Sequence, residues 1–293
     1  MMTLRQLAAE PPTLPTRTVW YLTDLTESRG KQELFTHQSP QKLKVIREHA
    51  LIESAISSNR IEGVEVDKSR IGTLIFGEAP VHDRDEEEVR GYRDALKLVH
   101  EQAAKLAICE STIKTLHKLS RGQIWDAGVY KEKDVDIIEK FADGRSRIRF
   151  RTVSAKETPE AMAEMIELWQ RGLREKWVDP LILAAALNLD FLCIHPFRDG
   201  NGRVSRLLFM LAVYHCGLEV GRYISLERLI EENKERYYKV LEQSSQHWHE
   251  GKHDPWPTIN FLLYILKQAC QEFERINFKV SNKLDNSVEL ENE

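Results

Sequence analysis

The chain has 293 residues, of which 42% are hydrophobic and 30% are charged, a composition typical of a folded globular protein. Its 42 Lys and Arg residues stand against 46 Asp and Glu residues, which gives a formal net charge of −4. This balance argues against a protein whose main task is to coat nucleic acid, and the aromatic content of 8% excludes global disorder. The 4 cysteines are scattered without a CxxC pair, so neither a disulfide framework nor a structural zinc site is predicted.

Neither a targeting segment nor a membrane-spanning segment is predicted. Residues 1–22 lack the basic segment followed by a continuous apolar stretch that is typical of a secretory signal. The apolar stretch at 181–194 is interrupted by Asn188 and Asp190 and is too short to cross a bilayer. We therefore expect a soluble, cytoplasmic protein. Its cysteine thiols are expected to be buried in the fold and to stay reduced in that compartment.

Residues 1–105 are predicted to form an N-terminal helical region. Three prolines within 11–15 predict that the opening segment is an extended arm. From Pro40 an apolar period near 3.6 residues predicts a helix, and Gly63 follows it directly where a C-terminal cap is expected. A further helix is predicted over 85–103, because acidic residues at its start interact favourably with the helix dipole.

Residues 106–276 are predicted to form the main domain, which is mostly helical. Alternating apolar and polar residues over 134–138 and 147–153, with an Asp-Gly pair at 143–144 between them, predict a β-hairpin. The last residues, 277–293, are expected to be a polar tail that frays. The predicted fold class is all-α with one β-hairpin. Helical patterns cover 111–125, 158–176, 181–194, 203–216, 225–246 and 256–276.

The segment HPFRDGNGRVSR, residues 195–206, concentrates groups that suit a bound polyphosphate. An apolar helix ends at His195, because a proline follows it and cannot continue the helix. Gly200 and Gly202 allow ligand atoms to approach the backbone closely. Free N–H groups at the start of the next helix then form a binding site for an anion.

Charged side chains of the same segment strengthen this interpretation. Arg203 and Arg206 lie three positions apart, so we expect them to face a similar direction and to bind phosphates. Asp199 supplies a carboxylate for Mg²⁺, and His195 supplies a titratable base beside the phosphates. A Gly-Asn-Gly turn or a helix-terminal histidine alone is more often structural, but their combination within one short segment favours a site.

The segment resembles the signature of the Fic family, HxFx(D/E)GNGRxxR, and matches it at every defined position. The resemblance extends over residues 15–276. It implies a protein adenylyltransferase that transfers AMP from ATP, with Mg²⁺, to a Ser, Thr or Tyr hydroxyl of a target protein. Removal of AMP, transfer of another phosphate-containing group and a non-catalytic module that senses nucleotide are the alternatives.

The resemblance implies a role for each residue before the new helix. His195 takes the proton from the target hydroxyl. Phe197 packs beneath the loop and sets its shape, and Asp199 binds the Mg²⁺ that bridges the phosphates.

The resemblance also implies roles for the glycine-rich turn and the two arginines after it. Residues 200–202 cradle the α- and β-phosphates, and Asn201 reaches the α-phosphate. Arg203 and Arg206 neutralise the phosphates and the charge that develops on the leaving pyrophosphate. Because relatives that transfer a different group often change the position of Arg206, the arginine present here favours nucleotidyl transfer.

A second motif precedes the main domain. Residues from Ser58 to Gly63, SNRIEG, match the pattern (S/T)xxxE(G/N) that Fic proteins carry on an inhibitory helix, here about residues 41–63. Such a short pattern is weak alone, but here it occurs with a complete signature and in the expected order. The resemblance implies that Glu62 pairs with Arg206 and blocks the productive ATP pose, so we expect low basal activity.

The predicted hairpin over 134–153 is similar to the flap on which Fic proteins dock a target segment by β-augmentation, with Ile137 and Ile138 clamping the target. A hairpin that merely decorates the helices is the alternative. Just before it stands Lys131, where the family often has an arginine. In relatives, aromatic residues at the positions of Tyr237 and Tyr238 lie near the adenine, although such pairs on a helix are as often core.

Two further features indicate no site. The histidines of HWHEGKH, residues 247–253, lie in a polar stretch without cysteine, and their spacing does not place them on one helix face, so we expect a surface loop rather than a metal site. Residues 277–293 are too few for the winged-helix module of many relatives, so DNA contact is not expected. The expected partners are ATP and a target protein, and the chain itself is one candidate target. The chain is also a candidate homo-oligomer.

Overall fold

A computed structural model describes residues 2–9, 12–36, 40–67, 69–76, 80–140 and 144–290. These residues form twelve α-helices, one short 3-10 helix at Val220–Arg222 and one two-stranded antiparallel sheet, which confirms the predicted fold class. The elements in chain order are α1 (Thr3–Ala9), α2 (Thr16–Thr36), α3 (Pro40–Ile61), α4 (Ile71–Phe76), α5 (Arg84–Gln102), α6 (Glu110–Arg121), β1 (Ile137–Lys140), β2 (Ser146–Phe150), α7 (Thr158–Glu175), α8 (Pro180–Ile194), α9 (Asn201–His215), α10 (Leu226–Glu232), α11 (Lys234–Ser245) and α12 (Trp256–Leu290).

The opening segment is helical over Thr3–Ala9 and again from Thr16, so the prediction of an extended arm is wrong for these residues, and only residues 12–15 between them are described as non-helical. Pro15 directly precedes α2, a position where the missing N–H of proline costs nothing. The start of α1 is held by Asp190 of α8, whose carboxylate accepts the backbone amides of Thr3 at 2.7 Å and Leu4 at 2.9 Å. This distant carboxylate satisfies free donors at the helix start, and local sequence patterns carry no signal for it.

The centre of the molecule is α8. All its residues from Leu181 to Phe191 are buried, as expected for a helix that is apolar on every side. It packs against α1, α7, α9, α11 and α12, so its C-terminal end is held firmly by the core. In the described part of the chain, no helix combines the length and the apolarity needed to cross a bilayer.

The hairpin forms as predicted, but a register shift separates its two isoleucines. Ile137 pairs with Phe150 and Ile138 pairs with Ile148, with an irregularity between the two pairs. Ile138 and Ile148 are both exposed, whereas Ile137 is half-buried. The predicted turn residue Asp143 lies outside the described residues.

Several predicted helix boundaries differ from those observed. The segment 225–246 is divided into α10 and α11, because Asn233 leaves helical geometry and its side chain donates to the Leu229 carbonyl at 2.9 Å. α6 ends at Arg121 rather than at residue 125. α12 continues to Leu290, so residues expected to be a polar tail are helical. A helix nucleated in the core extends readily through a segment that contains neither glycine nor proline.

Candidate active site

His195 ends α8 in a left-handed backbone conformation, with φ +54°. Its amide donates to the Phe191 carbonyl at 2.9 Å, and Pro196 prevents another helical turn. For a residue other than glycine this conformation costs about 1–2 kcal/mol. The contacts around His195 must therefore hold it in place.

The imidazole of His195 is neutral at pH 7. Its pKa is lowered to about 4, mainly because burial disfavours the charged ring, and the Lys131 cation acts in the same direction. The Leu192 carbonyl and the carboxylates of Glu62 and Asp199 oppose this shift without reversing it. A neutral imidazole has a free nitrogen lone pair, which a general base requires.

The loop after His195 is closed by Asn201. Its side-chain oxygen accepts the Phe197 amide at 2.9 Å, and its side-chain nitrogen donates to the Phe197 carbonyl at 2.8 Å. Phe197 lies fully buried beneath the loop, and its ring stacks on His117 at 3.7 Å between centroids. Both ends of the Asn201 side chain bind the Phe197 backbone, so it shapes the loop, and its contact with the α-phosphate stays a prediction.

Asp199 lies at the outer edge of the loop. Its carboxylate accepts the Gly200 amide at 2.6 Å and pairs with Arg121 at 3.0 Å and with Arg84 at 3.7 Å. Burial raises the pKa of Asp199, but the Arg121 cation and the Gly200 amide outweigh burial and lower it. Gly200 has φ +78°, and a Cβ atom there would lie 2.8 Å from Arg121 Cδ, so only glycine fits.

The donor set around Asp199 fits a magnesium ion that is shared with a nucleotide. Mg²⁺ usually keeps several waters and takes one or two carboxylates together with substrate phosphates. The Asp199 side chain is 56% exposed and is the carboxylate of this loop. Among the described residues, no three acidic, histidine or cysteine side chains converge into a metal site made by protein alone. Phosphate and water oxygens would therefore complete the coordination.

The two arginines of α9 have different environments. Arg203 is buried, and its Nη1 binds Glu88 of α5 at 2.5 Å and Asn59 of α3 at 3.2 Å. The other oxygen of Glu88 binds Arg121 at 2.5 Å. Glu88 therefore holds Arg203 beneath the loop, and phosphate binding by Arg203 stays a prediction.

Arg206 is oriented by α3. Its Nε donates to the Ser58 hydroxyl at 2.9 Å, and its Nη2 donates to the Ser58 carbonyl at 2.9 Å and to Glu62 Oε1 at 2.8 Å. Its side chain is buried, and within the described residues Nη1 has no hydrogen-bond partner. Burial lowers the pKa of Arg206, but the Glu62 carboxylate together with Tyr237 and Tyr92 outweighs burial and raises it, so the guanidinium is charged at neutral pH.

Glu62 lies just past the end of α3 and against the start of α9. Gly63 caps α3 with φ +84°, and the Tyr238 hydroxyl donates to the Ile61 carbonyl at 3.1 Å. A Cβ atom added at Gly202 would overlap Glu62 Oε1. The carboxylate therefore occupies the space over the N-terminus of α9, which is where a helix binds an anion.

A cavity of about 230 Å³ joins the two sequence motifs. Arg149, which sequence reasoning did not single out, lies over the Tyr238 ring at 5.6 Å and also lines this cavity. Asp199, Gly200, Asn201, Arg203 and Ile138 are not among its lining residues. The lining residues that were predicted from the sequence are Glu62, Ile137, His195, Gly202, Arg206, Tyr237 and Tyr238.

The histidine-rich segment is not entirely a surface loop. His253 is buried, and its ring lies 2.8 Å from the Thr3 hydroxyl and 3.2 Å from the Gln6 side chain. Its pKa is lowered to about 4, mainly because burial disfavours the charged ring. This histidine holds α1 against the core, a role that polarity along the sequence could not reveal.

Sequence reasoning missed two residues that support the loop, Glu88 and Arg121. Glu88 belongs to an acidic run that was interpreted as favouring the start of α5. Charged residues that are buried at a helix–helix contact carry no periodic signal. The one available signal is the spacing of Glu88, which lies four positions before Tyr92 and so shares a face with the apolar stripe of α5.

Comparisons with known proteins identify the family of this chain. The profile of the Fic/DOC family matches residues 107–213. The chain is 31% identical over 157 residues to a Fido domain-containing protein of Dictyostelium discoideum, a match that covers 51% of this chain and 90% of that protein. It is 26% identical over 137 residues to the protein adenylyltransferase fic-1 of Caenorhabditis briggsae, which covers 46% of this chain and 25% of that protein.

The fold agrees with that of a solved relative. A crystal structure of a Fic family protein from Desulfovibrio desulfuricans superposes with a TM-score of 0.73 at 24% identity, covering 91% of this chain and 77% of that one. The match to the Dictyostelium protein spans nine tenths of that protein, and the family profile includes every residue from His195 to Arg206. This chain is a member of the Fic/DOC family.

Proposed function

We propose that this protein is an adenylyltransferase that transfers AMP from ATP to a Ser, Thr or Tyr hydroxyl of a target protein. Family membership supports a Fic-type transferase, and two Caenorhabditis relatives named as protein adenylyltransferases support nucleotidyl transfer. The observation that carries the proposal is the cavity that His195, Gly202 and Arg206 line together. It combines a base, a helix N-terminus and a buried cation.

Each of these groups has a distinct chemical task. Neutral His195 accepts the proton of the target hydroxyl, whose oxygen attacks the α-phosphorus while pyrophosphate leaves. The amides at the start of α9 and the Arg206 guanidinium stabilise the negative charge on the phosphates. A magnesium ion at Asp199 would neutralise further phosphate charge. Catalysis would then consist mainly of positioning and charge stabilisation.

We also propose that Glu62 keeps the protein in a state of low activity. Its carboxylate pairs with Arg206 at 2.8 Å and lies against Gly202, where the phosphates of ATP would bind. Phosphate and carboxylate compete for the same guanidinium, and two anions in one cavity repel each other. The active state would therefore need Glu62 to move away.

The test is intact-mass analysis after incubation with ATP and Mg²⁺, using wild type, Glu62→Gly and His195→Ala. Glu62→Gly should gain the mass of one AMP on itself or on host proteins, well above wild type, and Glu62→Gly combined with His195→Ala should gain none. Glu65→Gly, which removes an exposed glutamate nearby, is the matched control and should behave like wild type.

Other outcomes assign other functions. Transfer of label from γ-labelled rather than α-labelled ATP would indicate a phosphoryltransferase. Thermal stabilisation of Glu62→Gly by ATP without any covalent transfer would indicate a module that senses nucleotide. Equal transfer by wild type and Glu62→Gly would show that Glu62 is not inhibitory.

Removal of AMP is the second candidate, and the position of Glu62 favours it. The same cavity holds the Glu62 carboxylate and the His195 ring, and a carboxylate can activate water. The two activities respond in opposite directions to Glu62→Gly, which should raise transfer and lower removal. Incubating AMP-modified protein with wild type and with Glu62→Gly, and following the loss of mass, distinguishes them.

A further inference from the structure

Lys131 binds the backbone on both sides of His195, the proposed catalytic histidine. It lies between α6 and β1 and is buried, with 5% of its surface exposed. Its Nζ donates to the Ile194 carbonyl at 3.1 Å and to the Thr152 hydroxyl at 2.8 Å, and its backbone amide donates to the Pro196 carbonyl at 2.9 Å. One residue therefore binds the carbonyl groups on both sides of His195.

This position is unfavourable for a lysine by itself. Burial lowers the pKa of Lys131 to about 8, although Asp134 and Asp136 act in the opposite direction. The amine bonds to a carbonyl and a hydroxyl rather than to a carboxylate, so its charge is only partly compensated. A buried cation with a lowered pKa next to a cavity is typical of a residue with a role in the site.

The left-handed conformation of His195 needs such a restraint. Because φ at His195 is +54°, the two flanking peptide groups must both be fixed if the ring is to keep its direction. The Thr152 hydroxyl, which accepts from Lys131, donates in turn to the Val135 carbonyl at 2.6 Å. Thr152 and Val135 flank the hairpin, so the amine also connects His195 to the base of the hairpin.

We propose that Lys131 is a positioning residue, which holds His195 in its left-handed conformation and directs its ring toward the acceptor hydroxyl. The proposal rests on the function proposed above in so far as His195 is the base. Lys131 does not line the cavity, so it acts through His195 and not on the nucleotide.

The charge of Lys131 provides a second, independent test of this proposal, because it acts on the pKa of His195. The groups that act on the His195 ring are the Lys131 cation, the Leu192 carbonyl, and the carboxylates of Glu62 and Asp199. Lys131 lowers the pKa of the ring, whereas the other three raise it. Loss of the cation alone should therefore raise the pKa of His195.

The kinetic test uses the Glu62→Gly protein as background. Adding Lys131→Met should lower kcat about 100-fold with the KM for ATP unchanged, because a misdirected base slows the chemical step alone. The acid limb of the pH–rate profile should move to higher pH. Lys131→Arg, which keeps the charge and the donors, should restore most of kcat, and Lys133→Met, which removes an exposed lysine nearby, should have no effect.

An NMR titration of the His195 ring tests the same proposal without turnover. A raised His195 pKa in Lys131→Met, but not in Lys131→Arg, supports the positioning role of Lys131. This result would hold even if no variant transferred AMP. In that case the proposed function would fail while the positioning role would stand. If Lys131→Met does not fold, Thr152→Val should lower kcat in the same direction. The proposal is overturned if kcat, the pH–rate profile and the His195 pKa are all unchanged in the folded variant.

Discussion

Arg206 is the residue at which the two sequence motifs meet. Its guanidinium belongs to the glycine-rich motif, and its partners Ser58 and Glu62 belong to the helix that precedes the main domain. Ser58 contributes twice, through its hydroxyl and through its carbonyl. The serine of the second motif therefore orients the arginine, and the glutamate pairs with it.

Ser58→Ala removes the hydroxyl that accepts the Arg206 Nε proton. Because both groups are buried, the unpaired donor should lower the free energy of unfolding by about 1–3 kcal/mol. Urea unfolding followed by circular dichroism measures this change. Ser69→Ala, whose hydroxyl donates to Asp67 in an exposed turn, serves as the control and should leave the midpoint nearly unchanged. A Ser58→Ala midpoint equal to that of wild type would contradict the importance of this hydrogen bond.

At the scale of elements, the hairpin presents two different surfaces. A two-stranded hairpin is marginally stable alone, and this one is fastened by Arg147, which binds Glu242 of α11 at 2.8 Å, and by Phe150, whose ring stacks on His249. Ile137 lines the cavity and Ile138 is exposed, as expected for successive residues of a strand, whose side chains point to opposite faces. The two isoleucines, predicted to act together as a clamp, therefore have separate surroundings.

This separation predicts different effects for two similar substitutions in the Glu62→Gly background. Ile138→Asp should lower kcat/KM for a modified target by about tenfold, since an exposed isoleucine contributes about 1.5 kcal/mol when a partner buries it. It should leave ATP binding unchanged. Ile137→Asp places a carboxylate in the cavity and should weaken ATP binding as well. Isothermal titration with ATP and target-modification rates measure the two effects, and equal loss of ATP binding in both variants would refute the assignment.

For the whole molecule, buried histidines link folding to pH. Burial is the main reason that the pKa is lowered to about 3 in His100 and to about 4 in His117, His195 and His253. The unfolded chain takes up protons at these positions below about pH 6.5, whereas the folded protein resists protonation until about pH 4. Their contribution to stability is therefore complete above pH 6.5 and is lost as the pH falls toward 4.

We expect the free energy of unfolding to fall between neutral pH and about pH 5, by up to about 2 kcal/mol for each of these histidines. Urea unfolding at the two pH values measures the loss. His100→Gln should reduce the dependence on pH, while the same change at the exposed His247 should leave it as in wild type. If the free energy of unfolding depended on pH identically in His100→Gln and wild type, the buried histidines would not be the cause of that dependence.

The sequence by itself determined the features that depend on neighbouring residues. Apolar periodicity located most helices, and the proline after His195 determined where α8 ends, whereas α9 begins at Asn201, two residues before the predicted start. The alternation of apolar and polar residues located the hairpin. These signals are local, because helix formation, turn geometry and the left-handed backbone depend on a few adjacent side chains.

Tertiary structure alone decided the partners of Arg203 and Lys131. Arg203 turns to Glu88, 115 residues away, and Lys131 reaches the Ile194 carbonyl, 63 residues away. The helical state of α1 likewise depends on Asp190, 187 residues from Thr3. Such contacts leave no local pattern, because a buried charge is stabilised by whatever partner the packed helices bring to it.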